Sequence, residues 1–197
     1  MRLSQEAVVA AALRVVDAEG VDAATMRRVG QELGTGVASL YAHVADKDEL
    51  LALVFDRVVG EIDLSVPDAH WTEAVKTFPR RWRTALLAHR DLAKVNLGTV
   101  PTGPNAMRGM EGMLAVLHGA GLPNRVVGYA ADLIGQFVTA ATYEASLWQA
   151  RMSSPQAENG DERFEFGLDV VIRGLATHLP PEPPGRPRAS GVRKRRA

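Results

Sequence analysis

Apolar residues recur along most of the chain at the spacing of one face of a helix. The first apolar stripe follows an i, i+3, i+4, i+7, i+8 pattern and consists of Val8, Ala11, Ala12, Val15 and Val16. Ser4 is suited to cap the start of this helix, and Gly20 to end it. Ala and Leu are abundant, and the alternating runs of β-branched residues that indicate strands are lacking. The pattern therefore predicts an all-α fold.

Residues 22–50 predict two short helices and the start of a third. Thr25 suits the N-cap of the first, because its hydroxyl can accept from a free amide of the first turn. Residues 33–36, Leu-Gly-Thr-Gly, then turn the chain, since glycine tolerates the left-handed conformation needed after a helix end. The second helix is expected over residues 37–43, and residues 46–49 form an acidic capping box that begins the third. This arrangement is a helix-turn-helix, whose second helix enters the DNA major groove.

Further helices are predicted over most of the remaining chain. Their expected bounds are residues 47–63, 71–89, 91–97, 105–119, 123–152 and 161–179, with a kink at Pro79. The last helix is apolar around more of its circumference than one buried face needs. We therefore expect a homodimer whose interface pairs the helices 123–152 and 161–179. Residues 180–197 are rich in proline and basic residues, and are expected to form a disordered basic tail.

Charge is unevenly distributed, although the net charge of the chain is zero. Residues 1–65 hold 6 Lys or Arg and 11 Asp or Glu, whereas residues 180–197 hold 6 and 1. An acidic N-terminal segment counts against indiscriminate DNA binding, which depends on neutralising phosphates. It leaves specific DNA binding open, because a few cations can cluster on one face.

Several classes of protein are disfavoured by what the sequence lacks. There are no cysteines, no apolar run reaches the roughly 18 residues of a membrane span, and no signal-peptide pattern is present. A soluble cytoplasmic protein is expected. HExxH, P-loop and GxGxxG motifs are lacking, and the histidines are not at metal-binding spacing. We expect no enzyme activity, no cofactor and no metal site.

Two stretches of the sequence resemble a known family. Thr25-x-Arg27-x-Val29, Leu33-Gly34, Ser39-Leu40-Tyr41-x-His43-Val44 and Lys47-x-x-Leu50 resemble the DNA-binding domain of the TetR family of repressors. Residues 85–102, Ala-Leu-Leu-x-His-Arg-Asp-x-Ala-Lys-Val-x-Leu-Gly-Thr-x-Pro-Thr, are similar to the matching part of the tetracycline repressor. The resemblance implies a helix-turn-helix DNA-binding domain over residues 1–46. It also implies a larger helical ligand-binding and dimerisation domain over residues 47–179, with the helix 47–63 as the connection.

The resemblance also implies which residues contact DNA. Base contacts are expected from Arg27, Val37, Ala38 and Ser39, since arginine can bond guanine through two hydrogen bonds and methyl groups can contact thymine. Phosphate contacts are expected from Thr25, Tyr41, His43 and Lys47. Alternatives stay open for two of them, because Thr25 is also a helix cap and a lone histidine can simply bond a neighbouring carbonyl.

In the larger domain the sequence departs from the tetracycline repressor. The histidine that binds drug-held magnesium there corresponds to Asn96 here, which argues against magnesium–tetracycline as the ligand. A mostly apolar, aromatic ligand is expected instead. The expected apolar contacts are Phe78, Trp82, Met110, Met113, Leu114, Phe137, Ala140 and Tyr143, and the polar contacts are Asn96, Thr99, Gln136 and Glu144. For each Met or aromatic residue, plain core packing is an alternative.

These features favour a ligand-responsive transcriptional repressor. It is expected to bind a palindromic operator on double-stranded DNA as a homodimer, and to be released by a small, largely apolar ligand. One alternative is an activator or a ligand-independent DNA binder. Another is a small-molecule sequestering protein that no longer uses DNA, an interpretation to which the acidic N-terminal segment lends support.

Overall fold

The computed structural model describes residues 3–97, 102–151 and 159–180, and of residues 150 and 151 the backbone alone. Within these ranges the chain forms eight α-helices and no strand, which confirms the predicted all-α fold. The helices are α1 (Gln5–Glu19), α2 (Met26–Glu32), α3 (Val37–Leu40), α4 (Lys47–Gly60), α5 (Trp71–Leu87), α6 (Pro104–Gly119), α7 (Asn124–Arg151) and α8 (Gly160–Ala176). Two 3₁₀ helices, Val21–Ala23 and Leu92–Asn96, precede α2 and follow α5.

The predicted N-caps begin α1, α2 and α4. The hydroxyl groups of Ser4 and Thr25 each accept a hydrogen bond from the amide three residues further on, both at 3.2 Å. The Asp46 carboxylate accepts from the Glu49 amide at 2.8 Å, and the Glu49 carboxylate accepts in return from the Ala45 amide. Each bond satisfies an amide that the helix itself leaves free.

Four helices end two or three residues before their predicted positions. α3 ends at Leu40 rather than at residue 43, α4 at Gly60 rather than 63, α5 at Leu87 rather than 89, and α8 at Ala176 rather than 179. The next residues bond to the carbonyl three positions back, as His43 does to Leu40 at 2.8 Å. The apolar pattern continues through such a tight last turn, so periodicity alone overestimates the length of a helix.

Buried apolar side chains form two clusters. The first joins the inner faces of α1 to α4 with Leu86, Leu92, Ala93 and Ala106 from the region that follows. The second fills the space between α5, α6, α7 and α8. By packing, α4 is part of the N-terminal core, where Val54 is fully buried. A domain boundary at residues 46–47 stays a prediction.

Ion pairs hold α5 against α8. The Lys76 ammonium lies 2.8 Å from the Asp169 carboxylate, and the Arg80 guanidinium donates to both oxygens of Glu165 at 2.7 and 2.6 Å. Burial lowers the pKa of Lys76, but its hydrogen bonds to Asp169 and Glu73 outweigh burial and raise that pKa overall. The charges therefore remain paired at neutral pH.

None of the helices in the described ranges is both long enough and apolar enough to cross a membrane. Residues 98–101, 152–158 and 181–197 lie outside the described residues. The predicted contact residue Thr99, most of the loop before α6 and nearly all of the predicted basic tail fall in these ranges.

Candidate DNA-reading surface and ligand cavity

The turn between α2 and α3 brings these two short helices into close contact. Gly34 adopts a left-handed conformation (φ +65°), in which a side chain would be strained. The Thr35 amide then donates to the Gly30 carbonyl at 2.9 Å, and a Cβ atom on Gly30 would lie 3.1 Å from the Thr35 carbonyl oxygen. Leu40 is fully buried and anchors α3 to the core. The turn thus holds α3 against α2, with Ala38 and Ser39 on the exposed side.

Seven of the eight residues expected to contact DNA lie on α2 and α3 or within three residues of them, and Lys47 begins α4. Five are exposed, namely Thr25, Arg27, Ala38, Ser39 and Tyr41. The half-buried ones are Val37, His43 and Lys47. Thr25 is exposed, but its hydroxyl is engaged as the cap of α2. The Lys47 ammonium donates to the Asp22 carbonyl at 3.1 Å, so a phosphate contact from Lys47 would have to replace or extend this bond.

Two of the four cations in residues 3–50 are neutralised by neighbouring carboxylates. Arg28 pairs with Glu19 at 2.7 Å and with Glu32 at 3.2 Å, and Arg14 pairs with the same Glu32 at 3.2 Å. Hydrogen bonds from Arg14 and then from Arg28 lower the pKa of Glu32. Among the Lys and Arg side chains of residues 3–50, Arg27 alone makes neither an ion pair nor a hydrogen bond. Its guanidinium is free to bond a group outside the chain.

A cavity of about 750 Å³ lies between α5, α6, α7 and the 3₁₀ helix Leu92–Asn96. Six of the residues expected at a ligand line it, namely Phe78, Trp82, Asn96, Met110, Met113 and Gln136. The other lining residues are Pro79, Leu97, Ala106, Met107, Ala131, Asp132, Ile134, Gly135, Val138 and Thr139. Helical spacing could have identified two of these from the sequence, because Asp132 and Thr139 share the α7 face of Gln136. The volume is within the roughly 300–1,000 Å³ of pockets for drug-sized molecules.

Polar groups are few around this cavity. Asn96 donates through Nδ2 to the Thr139 hydroxyl at 2.6 Å, and Gln136 donates through Nε2 to the Asp132 carboxylate at 2.8 Å. Trp82 Nε1 and Asn96 Oδ1 are buried without a hydrogen-bond partner among the described residues. Leaving a buried polar atom unpaired costs roughly 1–3 kcal/mol. In the described part of the chain, no three His, Asp or Glu side chains are grouped so as to hold a metal ion.

Three of the expected ligand contacts on α7 do not line the large cavity, namely Phe137, Ala140 and Glu144. Phe137 and Glu144 lie about 100° and about 80° around the helix from Gln136. Phe137 stacks on Phe164 in the second core, with ring centroids 5.6 Å apart, and Ala140 is exposed. Glu144 accepts from Arg163 at 2.9 Å, and this bond lowers the pKa of its carboxyl group.

Two further expected contacts belong to the cores. Leu114 packs against the second core, and Tyr143 packs against the N-terminal core. Neither lines the large cavity. For these two residues the structure agrees with the alternative of core packing.

Comparison with known proteins identifies the family. Residues 8–54 match the family described as bacterial regulatory proteins, tetR family, and residues 65–156 match the tetracyclin repressor-like C-terminal domain. The crystal structure of ActR from Streptomyces coelicolor with actinorhodin is similar, with 41% identity over 90% of this chain and 97% of that chain and a TM-score of 0.82. The chain belongs to the TetR family of transcriptional regulators.

Two other relatives extend the comparison of this TetR-family protein. The HTH-type transcriptional repressor DrrR1 of Streptomyces coeruleorubidus is 38% identical over 177 residues, which are 89% of this chain. The match spans 65% of the length of that relative. BioQ of Mycobacterium smegmatis, in a crystal structure with its double-stranded DNA operator, is 30% identical over 90% of this chain and 100% of that chain, with a TM-score of 0.76.

In this TetR-family protein, α4 joins the cavity wall to the DNA-binding unit through a buried carboxylate. One oxygen of Asp56 accepts from the amides of Asn105 and Ala106, both at 3.0 Å. Gly103, the N-cap residue of α6, contributes no side-chain bond, so Asp56 of α4 caps α6 in its place. Ala106 also lines the cavity. Sequence reasoning missed Asp56 because the amide of Asn105 lies 49 positions further along the chain.

The 3₁₀ helix beside the cavity is also bonded to the N-terminal unit. The Lys94 ammonium donates to both oxygens of Asp22 at 2.8 Å, which lowers the pKa of Asp22. His89 Nδ1 lies 2.8 Å from the Asp17 carboxylate. Asn96, two residues after Lys94, lines the cavity. Two elements that line the cavity, α6 and this 3₁₀ helix, are therefore bonded to the DNA-binding unit.

Proposed function

We propose that this protein is a ligand-responsive transcriptional repressor. It binds a palindromic DNA operator as a homodimer, and leaves the operator when a small, largely apolar ligand fills the cavity. The observation that carries the proposal is a helix-turn-helix unit bonded directly to helices that enclose a cavity of about 750 Å³. The role of the family in transcription regulation agrees with it.

Base reading is attributed to Arg27 and the start of α3. The unpaired guanidinium of Arg27 can donate two hydrogen bonds to guanine, Ser39 can bond several bases, and the methyl groups of Val37 and Ala38 can contact thymine. Phosphate binding is attributed to Thr25, Tyr41, His43 and Lys47, which would set the register. Because residues 1–65 are acidic overall, specific contacts must carry more of the affinity than general phosphate attraction.

Exposed apolar side chains on α7 and α8 support a homodimer. Tyr129 and Leu133 of α7 are 64% and 48% exposed, and Phe166 and Val170 of α8 are 72% and 55% exposed. Each pair is four residues apart, so each forms a stripe on one helix face. A two-fold interface would bury the same stripes from both copies. It would also bring two recognition helices to the separation of roughly 34–36 Å that successive major grooves require.

The ligand is attributed to the cavity because its lining is mainly apolar and adaptable. Met107, Met110 and Met113 provide flexible side chains that can fit more than one ligand shape. The similar protein ActR has crystal structures in complex with actinorhodin and with (S)-DNPA, which supports a small-molecule ligand here.

Release of DNA requires that the ligand bind the non-DNA-binding arrangement more tightly. A ligand that displaces α6 would act on α4 through the bonds of Asp56 to the start of α6. Since α4 packs in the N-terminal core, this movement would change the separation of the two recognition helices in the dimer.

The experiment that tests the proposal is selection of bound sequences from a random double-stranded DNA pool at near-physiological salt. We expect a palindromic motif with half-sites about one helical turn apart. Arg27→Ala is expected to weaken binding to the selected site by roughly thirtyfold or more, because the dimer loses two base contacts that each contribute roughly 1–3 kcal/mol. Arg57→Ala removes an exposed cation of α4 outside the helix-turn-helix, and is expected to leave binding unchanged.

The alternative functions predict different results in the same experiment. If the folded protein selects no motif, a small-molecule sequestering protein becomes the better assignment, and the acidic excess of residues 1–65 favours this second candidate. A motif whose binding no small molecule weakens would indicate a ligand-independent DNA binder. A rise in transcription when the protein binds its site would indicate an activator.

A further inference from the structure

Among its described lining residues, the cavity has a single ionisable side chain. Of these sixteen residues Asp132 alone is acidic, and none is Lys, Arg or His. The described lining is therefore negative as well as apolar.

The Asp132 carboxylate is not neutralised by the described part of the chain. It accepts one hydrogen bond, from Gln136 Nε2 at 2.8 Å, and takes part in no ion pair with a described residue. Two basic residues of the surrounding elements are paired elsewhere, Arg81 with Asp63 at 3.0 Å and Lys94 with Asp22 at 2.8 Å. Arg108 of α6 and Arg125 of α7 are exposed, and neither lines the cavity. Asp132 is exposed as well, so one of its oxygens meets solvent and is available to a ligand.

We propose that the cavity selects its ligand by charge, with Asp132 as the specificity-determining residue. It accepts apolar, aromatic molecules that are neutral or carry a cationic group, and it rejects those that carry a carboxylate. This inference rests on the proposed function, in which the cavity is the ligand site.

The physical reason is the cost of moving an anion out of water without a counter-charge. A ligand carboxylate would lose hydration, meet no cation in the lining and lie near a like charge. A ligand ammonium would instead gain a charge-assisted hydrogen bond from its N–H to the free oxygen of Asp132. A neutral ligand would neither gain nor lose much from this residue, so its affinity should lie between the two.

Three anthraquinones that differ only at position 2 provide the test. They carry an aminomethyl group, which is cationic at neutral pH, a hydroxymethyl group or a carboxylate. The dissociation constants for the full-length protein are measured by isothermal titration calorimetry. We expect the aminomethyl compound to bind tightest and the carboxylate weakest, with roughly fivefold between neighbouring members of the series. A carboxylate that binds as tightly as the hydroxymethyl compound would overturn the proposal.

Variants at position 132 test whether this residue is the cause. Asp132→Asn keeps the size of the side chain, and is expected to reduce the preference for the cation over the neutral compound by roughly fivefold. Asp132→Lys is expected to reverse the order of the cation and the carboxylate. Glu111→Gln is the matched control, because it removes the same charge from an exposed α6 residue outside the lining. Thermal unfolding is measured first to establish that each variant is folded.

The outcomes separate this inference from the proposed function. An unchanged order in Asp132→Asn, an equal effect of Glu111→Gln, or no binding of any of the three compounds would overturn charge selection by this cavity. The affinity measurements use the protein without DNA, and a separate assay adds the same compounds to the protein bound to its selected DNA site. If the compounds bind in the expected order but leave operator DNA bound, the release mechanism fails and charge selection stands. If they release DNA without regard to charge, the proposed function stands and charge selection fails.

Discussion

The helix-turn-helix unit and the cavity region use helices in opposite ways. In α1 to α4 the inner faces meet in a continuous core, where Val8, Val29 and Leu40 are fully buried, and the expected contact residues point outward. In α5 to α7 the helices border a cavity, and six of the candidate contact residues line it. The side chains of the first unit fill a core, whereas those around the cavity border a space that the chain leaves open.

The largest expected effect tests this difference directly. Leu40→Ala opens a hole in a filled core, and is expected to reduce the free energy of unfolding by about 2–5 kcal/mol. Met110→Ala changes an exposed side chain that already borders a cavity, and is expected to cost less than about 1 kcal/mol. Urea unfolding followed by circular dichroism measures both. Similar losses in the two variants would contradict the comparison.

A smaller effect is expected at the junction of the two regions. Asp56→Ala leaves two amides at the start of α6 without their acceptor, and is expected to cost about 1–3 kcal/mol in the free energy of unfolding. Asp68→Ala, at an exposed residue between α4 and α5, serves as the control and is expected to be neutral within about 0.5 kcal/mol.

The same variant tests the mechanism by which a ligand would release the protein from DNA. If Asp56 transmits movement of α6 to α4, Asp56→Ala will bind a ligand in the cavity but respond to it with a smaller change in DNA affinity. An undiminished response in a folded variant would assign the transmission to the 3₁₀ helix Leu92–Asn96 instead.

The smallest effect concerns pH. Hydrogen bonds from Arg80 lower the pKa of Glu165 below its ordinary value of 4.5. A carboxyl group with a lowered folded-state pKa stabilises the protein above its unfolded pKa, and this contribution is lost as the pH falls below about 4.5 through the folded-state value. Both partners are partly exposed, so the pair contributes only about 0.5–1 kcal/mol.

Glu165→Gln is expected to lower the urea midpoint at neutral pH and to leave it unchanged in acid, because the wild-type group is then protonated. Glu61→Gln, at an exposed residue with a 4.0 Å contact to Arg57, is the control. A difference between Glu165→Gln and wild type that persists at the same size in acid would show that the substitution acts through packing rather than through charge.

Sequence reasoning was accurate where the decisive contacts are local. The caps formed by Ser4, Thr25 and Asp46 and the left-handed turn at Gly34 involve residues within one or two turns of each other. The family resemblance likewise rested on two short segments, residues 25–50 and 85–102, and the TetR family was confirmed. The helix ends were predicted less accurately, because the apolar pattern continues where the backbone changes to i→i−3 hydrogen bonds.

In the larger region the expected ligand contacts lie at more than one place. The resemblance placed Phe137 and Glu144 among them, and these residues lie beside Phe164 and Arg163 rather than in the lining of the large cavity. Their role in ligand binding stays a prediction. Asp132 was missed, although it precedes Gln136 by one helical turn. The position of a residue in a sequence motif does not determine whether its side chain borders a cavity.

The sequence by itself determined the helices, the helix-turn-helix and the family, because these depend on apolar spacing, caps and glycine conformations that neighbouring residues specify. Only the tertiary structure decided where the cavity lies, that Asp132 is the single charge among its described lining residues, and that Asp56 caps a helix 49 residues away. The reason is that a cavity and a cap between helices are properties of how separate helices are placed in space. Residues far apart in the chain contact one another there, and no local sequence pattern indicates such contacts.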